Sequence, residues 1–168
     1  MLLRLLSAFA LLALTGCLGY RVGAVKPEAF SHIRKIAIPT FVNQSQEPRS
    51  AVLVTNTVIR QMQTDGTYEI SSEERADAVL EATIKQIRRR QARSARFDTL
   101  RTSELEFTLE VEFRLRDVKT NATLDSGIVE GTTSQFLDPN LQLSERQALP
   151  LAAQRVAENL VSRISEGW

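Results

Sequence analysis

The chain has 168 residues, 43% of them hydrophobic, with 21 Lys and Arg against 20 Asp and Glu. That length supports one well-buried domain and not two, and a charge near zero argues against a general nucleic-acid binder, whose footprint is a basic excess. A single cysteine excludes an internal disulfide, and after the N-terminus no segment is apolar enough for a transmembrane helix.

Met1-Leu2-Leu3-Arg4 forms a short positive region, and Leu5 to Leu14 (LLSAFALLAL) forms an apolar run well short of the ~20 residues a membrane span needs. This is the pattern of a secretory signal peptide. It ends on Leu14-Thr15-Gly16-Cys17, which resembles the lipobox of bacterial lipoproteins. That resemblance implies that the Cys17 thiol carries a diacylglycerol and that cleavage leaves Cys17 as the first mature residue. An unpaired thiol in an exported protein is a reactive liability that acylation removes. Each buried CH₂ of the lipid contributes ~0.8 kcal/mol, so one acyl chain anchors marginally and two or three anchor firmly. The competing reading makes Cys17 a small buried residue inside an uncleaved hydrophobic segment. With residues 1–16 removed, 152 residues remain, carrying 20 Lys and Arg against 20 Asp and Glu.

Residues 17–32 lack a sustained period and contain Gly19, Gly23 and Pro27, so they read as a tether, in which Tyr20 and Val22 offer an alternative edge strand. His32 has no second ligand at metal spacing and reads as a surface or packing histidine. Ile33 to Val42 (IRKIAIPTFV) predicts a short strand that leaves the sheet at Pro39. The turn cluster Asn43 to Pro48 precedes a helix over Arg49 to Thr64, with Ala51, Val54, Val58 and Met62 on its apolar face. Asp65-Gly66 ends that helix, and Thr67 to Ile70 is a possible short strand.

From Ala76-Asp77-Ala78 a long strand begins. Leu80, Ala82 and Ile84 share one parity, but Ile87 falls on the other, which predicts a β-bulge near Lys85 to Ile87. Ser103 to Asp117 alternates without a gap: Leu105, Phe107, Leu109, Val111, Phe113 and Leu115 point one way, with Glu and Arg dominating the other. That is an antiparallel strand with one dry and one wet face. After the turn Asp117 to Asn121, Thr123 to Phe136 gives a third strand of a meander, with Gly127 and Gly131 read as bends or bulges. A final helix carries Leu149, Ala152, Val156, Leu160 and Ile164 on one stripe. Its predicted start is a single turn at Ser144, then the main helix from Pro150. The predicted fold class is α+β: a two-layer sandwich in the order β-α-β-β-β-α. Its sheet is mostly antiparallel with about four strands, and both helices pack on one face. The expected organisation is a signal peptide at 1–16, a lipidated tether at 17–32 and one domain at 33–168.

Several segments together resemble a known family. Cys17-x-Gly19-Tyr20-Arg21, Ile36-Ala37-Ile38-Pro39-x-Phe41-x-Asn43 with Glu47-Pro48, Ala76-Asp77-Ala78 opening a strand, and the charged alternating strand Leu105 to Leu115 are similar to the LPS-assembly lipoproteins of the LptE family. The resemblance spans nearly all of the mature chain, in order. It implies a non-enzymatic outer-membrane lipoprotein facing the periplasm. It further implies partnership with a large β-barrel, LptD, which such proteins help assemble and plug, and contact with lipopolysaccharide. No cofactor is implied. Leu18 follows the cysteine in place of the Asp that retains many enterobacterial lipoproteins at the inner membrane, which fits an outer-membrane destination. The small α/β domains of secretion, curli or flagellar accessory lipoproteins, which form oligomers or bind peptidoglycan, offer the alternative.

Between Lys85 and Arg101 the chain holds seven cations, Lys85, Arg88, Arg89, Arg90, Arg93, Arg96 and Arg101, and one acid, Asp98. Guanidinium groups bind phosphate or carboxylate bidentately, so this predicted hairpin is a candidate site for lipid A phosphates or acidic barrel groups. Arg88 and Arg90 face a Glu-rich strand and equally fit ordinary cross-strand pairs. Arg93, Arg96 and Arg101 have no such acidic neighbours and lean toward ligand or barrel contact. No catalytic constellation is visible: there is no nucleophile elbow, no phosphate-cradling glycine loop, and His32 is the single neutral-pH base.

Overall fold

In the computed structural model the backbone is described for residues 30–95, 98–136 and 141–166, and side chains for the same residues apart from 91–95, 98–103, 136 and 141–145. The signal peptide, Cys17 and the tether up to residue 29 lie outside the described residues. The elements are β1 (Lys35–Ala37), β2 (Val42–Asn43), α1 (Ser50–Asp65), β3 (Glu69–Ile70), a 3₁₀ turn (Glu73–Arg75), β4 (Ala78–Ala95), β5 (Asp98–Asp117), β6 (Thr123–Phe136) and α2 (Leu141–Glu166).

The predicted meander is present: β4, β5 and β6 pair antiparallel in sequence order. The sheet is nevertheless larger than the four strands expected, and mixed. Its order is β3-β1-β4-β5-β6, with β2 also on β4, and β1 runs parallel to both β3 and β4. Parallel neighbours need a crossover, and α1 supplies it between β1 and β3. The strand expected to leave at Pro39 does leave there, but it returns. Ala37 pairs with Val79 and Val42 with Thr83, so five steps along the first segment match four along β4. During the excursion Phe41 enters the core, and its N–H donates to the Thr55 hydroxyl of α1 at 3.0 Å.

The bulge lies where parity predicted it. Ile84 pairs with Val111 and Gln86 with Glu110, leaving Lys85 unmatched, so that Ile87 meets Leu109 on the inner face. On β5 the alternation holds: Phe107, Leu109, Val111, Phe113 and Leu115 are all buried. Gly127 and Gly131 are not bulges, because the one register shift between β5 and β6 lies at Leu115/Arg116. They are points of close approach by α2. A Cβ on Gly131 would collide with the Ala152 carbonyl and lie 2.6 Å from the Val156 nitrogen, and one on Gly127 would lie 3.1 Å from the Arg163 guanidinium.

Both helices cover the inner face. In α1 the expected Val54, Val58 and Met62 are buried, and so are Thr55 and Thr57, whose hydroxyls donate to the Ala51 and Leu53 carbonyls. Gly66, at φ 74°, closes the helix by donating its N–H to the Met62 carbonyl. The start predicted for α2 is corrected. The helix is continuous from Leu141 and contains Pro150. The proline is exposed, so the Arg146 carbonyl that loses its donor lies toward solvent, while the stripe Ala148, Ala152 and Val156 stays buried on either side of it. Tyr68 ties the two helix ends together: its hydroxyl donates to the Ile164 carbonyl, and burial, then the charge of Asp65, pushes its pKa up to about 12.

Candidate functional site

Strands β4 and β5 run for 18 and 20 residues, where ~5–6 is usual. Among the described residues the last fully buried ones toward the hairpin tip are Ile84 on β4 and Phe107 on β5, and Ile87, opposite Leu109, is half-buried. Among the described residues past Ile87, Arg88 and Arg90 take the outer parity and Arg89 the inner one. Arginine therefore occupies both parities.

On the outer face the acids of β5 and β6 hold the cations of β4. Arg88 Nη2 lies 2.6 Å from Glu130 Oε1 and 3.5 Å from Glu110 Oε2, and Arg90 donates through Nε and Nη2 to Glu106 Oε1 at 3.2 and 2.9 Å. Lys85 with Glu112 and Arg116 with Glu81 extend the ladder along the strands, away from the hairpin tip. Each exposed pair contributes on the order of 0–1 kcal/mol. Arg88 and Arg90 are thus the sheet-surface partners that the facing Glu residues allowed for. Arg93 lies on β4 with Glu104 as its register partner, and Arg101 lies on β5; their side chains, and Arg96 entirely, lie outside the described residues.

Arg89 takes the opposite parity. It pairs in register with Phe107, and its Nη2 donates to Glu47 Oε1 at 2.7 Å, which neutralises that acid. Beside this pair opens a cleft of about 500 Å³ between the N-terminal halves of α1 and α2. Leu53, Ile87, Phe107, Leu149, Pro150 and Ala152 line it, and Arg49 and Arg146 stand on its rim. Sequence reasoning missed this site because its residues come from four separate parts of the chain, residues 47–53, β4, β5 and α2.

At the other end of the sheet two carboxylates fasten the strands. Asp77, the centre of the Ala-Asp-Ala motif, accepts the N–H groups of Arg34 and Lys35 on one oxygen, each at 3.0 Å, and these bonds hold its pKa below the usual carboxylate range. Asp117 accepts the N–H groups of Lys119 and Thr120 and stands 2.9 Å from His32 Nε2. The Thr120 amide first, then His32, holds its pKa well below the usual range. His32 is thus a surface histidine with one carboxylate partner, and its side chain is 55% exposed. Among the described residues no group of three His, Cys, Asp or Glu side chains is placed to hold a metal ion.

A mixed sheet with two helices on one face and a charged hairpin running past them defines a two-layer α+β sandwich. Among the described residues no helix is long and apolar enough to cross a membrane. The chain belongs to the LptE lipopolysaccharide-assembly family, whose model matches residues 33–164. Membership makes it an envelope lipoprotein of lipopolysaccharide assembly, in a family of non-enzymatic outer-membrane accessory proteins. No curated protein matches the chain.

Solved structures share the fold. Uncharacterized lipoprotein B from Nitrosomonas europaea has a TM-score of 0.58 at 18% identity, over 88% of this chain and 91% of that one. The PelC dodecamer from Paraburkholderia phytofirmans has a TM-score of 0.55 at 17% identity, over 86% and 96%. A minor lipoprotein from Acinetobacter baumannii has a TM-score of 0.52 at 12% identity, over 79% and 91%.

Proposed function

We propose that the chain is an outer-membrane lipoprotein, held by diacylglyceryl-Cys17 after removal of residues 1–16, that assembles with and plugs an LptD-like β-barrel translocon for lipopolysaccharide. The observation that carries this reading is the family match over residues 33–164. In it, the tether that begins at Cys17 places the domain on the periplasmic side, and Arg93, Arg96 and Arg101 at the far end of the hairpin meet lipid A phosphates or acidic groups of the barrel lumen. The pairing of Arg88 and Arg90 with Glu residues supports a division of labour, in which those two stiffen the hairpin.

A second reading, a homo-oligomeric envelope lipoprotein, draws on the fold shared with PelC, a dodecamer. Purification of the tagged chain from gently extracted membranes tests the first reading: a large barrel protein is expected to co-purify, and its absence contradicts the proposal. Labelled palmitate incorporated into the native chain but not into Cys17→Ser tests the anchor.

A further inference from the structure

The hairpin and the sheet surface leave one feature unused, the cleft between the N-terminal halves of the two helices. Its volume of about 500 Å³ lies within the range of small-molecule sites, and its floor is apolar: Leu53, Ile87, Phe107 and Leu149. Its rim carries positive charge that no described acidic side chain pairs with. Arg49 and Arg146 are both exposed, and their guanidinium groups make no hydrogen bond or ion pair with any described residue. Among the described residues the one acid at the rim, Glu47, is already held by Arg89 at 2.7 Å.

These features select a ligand by elimination. A purely apolar molecule leaves the two guanidinium groups uncompensated, and a free anion leaves the floor wet. An amphiphile with an anionic head satisfies both. Arg49 precedes α1 and Arg146 lies within α2, so the two cations reach the cleft from separate elements, and each guanidinium offers a fork of N–H groups that suits a phosphate.

We propose that this cleft holds one acyl chain of a phosphate-bearing lipid, with Arg49 and Arg146 clamping the phosphate and Leu53, Ile87, Phe107 and Leu149 receiving the chain. The site is separate from Arg93, Arg96 and Arg101 of the hairpin. It rests on the envelope reading above only for the presence of such a lipid.

The test uses the full chain reconstituted in lipid nanodiscs and a dodecyl phosphate carrying a photoreactive diazirine near the end of its chain. After illumination, mass spectrometry of the peptides is expected to find adducts concentrated at Ile87, Phe107 and Leu149. Yield at these positions should fall at least fivefold in the double variant Arg49→Gln/Arg146→Gln, and similarly when the probe carries a neutral maltoside head. Both arginines are exposed, so the double variant keeps the fold. Leu149→Trp, which fills the cleft, should abolish labelling at Ile87 and Phe107. Adducts spread evenly along the chain, or cleft labelling that is equal for the neutral probe and in the double variant, would overturn the proposal. Recovery of the barrel partner should be unchanged in Arg49→Gln/Arg146→Gln, so loss of the cleft site and loss of the envelope reading give different results.

Discussion

Gly131 on β6 lies so close to Val156 on α2 that a Cβ added to the glycine would stand 2.6 Å from the Val156 amide nitrogen. The obstacle is backbone and cannot swing away, so Gly131→Ala must push the helix from the sheet. Overpacking of this kind costs about 1–3 kcal/mol. Gly127→Ala meets only the end of the Arg163 side chain at 3.1 Å and should cost clearly less. Urea unfolding of the two variants checks the order, and an equal loss from both would contradict the close approach at Gly131.

Arg163 gives that weaker contact its limit. Its guanidinium donates to both oxygens of Asp125 at 2.9 and 3.0 Å and lies 5.2 Å from the centre of the Phe113 ring, over the space that Gly127 leaves open. Asp125→Ala removes the anchor and leaves a half-buried cation, so it should destabilise by about 1–2 kcal/mol. In Gly127→Ala/Asp125→Ala the penalties should not add, because the released guanidinium can yield to the new methyl group. Thermal or urea unfolding of the cycle measures that coupling.

Acid should loosen the end of the sheet where Asp77 and Asp117 sit. Both carboxyls are held below their ordinary value in the folded chain. Folding therefore gains from them above an unfolded pKa of about 3.9, and the gain disappears as the pH falls from there through their lower folded values. Stability measured between pH 6 and pH 2 should drop more steeply in the native chain than in Asp77→Asn/Asp117→Asn. Parallel curves would mean that these carboxylates carry no linked stability.

Pro150 interrupts the hydrogen-bond ladder of α2 at an exposed position. Pro150→Ala restores one donor without disturbing the buried stripe, and should raise stability by about 1–3 kcal/mol. No gain in the unfolding midpoint would show that the native helix has already compensated.

Arg88 and Arg90, which pair with Glu side chains, should behave differently from Arg93, Arg96 and Arg101. Arg88→Gln and Arg90→Gln remove exposed pairs and should change stability by less than about 1 kcal/mol, with little effect on binding. Replacing Arg93, Arg96 and Arg101 together by Ser should leave the domain folded and weaken binding to lipopolysaccharide or to the barrel. Circular dichroism and a binding assay on the same preparations separate the two groups, and unchanged binding by the folded triple variant would discard the hairpin as a contact.

These residues also show what the sequence could reveal. The strand from Leu105 to Leu115 was legible because a period of two has no competing explanation, and the bulge at Lys85 because one misplaced residue, Ile87, breaks that period once. The parallel strands β1, β2 and β3 have two or three residues each, too few to show a period, and their pairing is fixed by α1 crossing between them. Pro150 reads locally as a helix start, yet the buried stripe on both sides of it decides the matter. Gly127 and Gly131 read as bends, because nothing in a strand's own sequence tells how closely a distant helix will pass. The cleft was hidden for a related reason: Arg49, Phe107 and Arg146 become neighbours only after folding.

The membrane complex itself gives the most direct test of the central proposal. The native mass of the tagged chain, extracted from membranes in mild detergent, should correspond to one copy bound to one large β-barrel protein. A homo-oligomer of this chain alone, with no barrel in the particle, would contradict it.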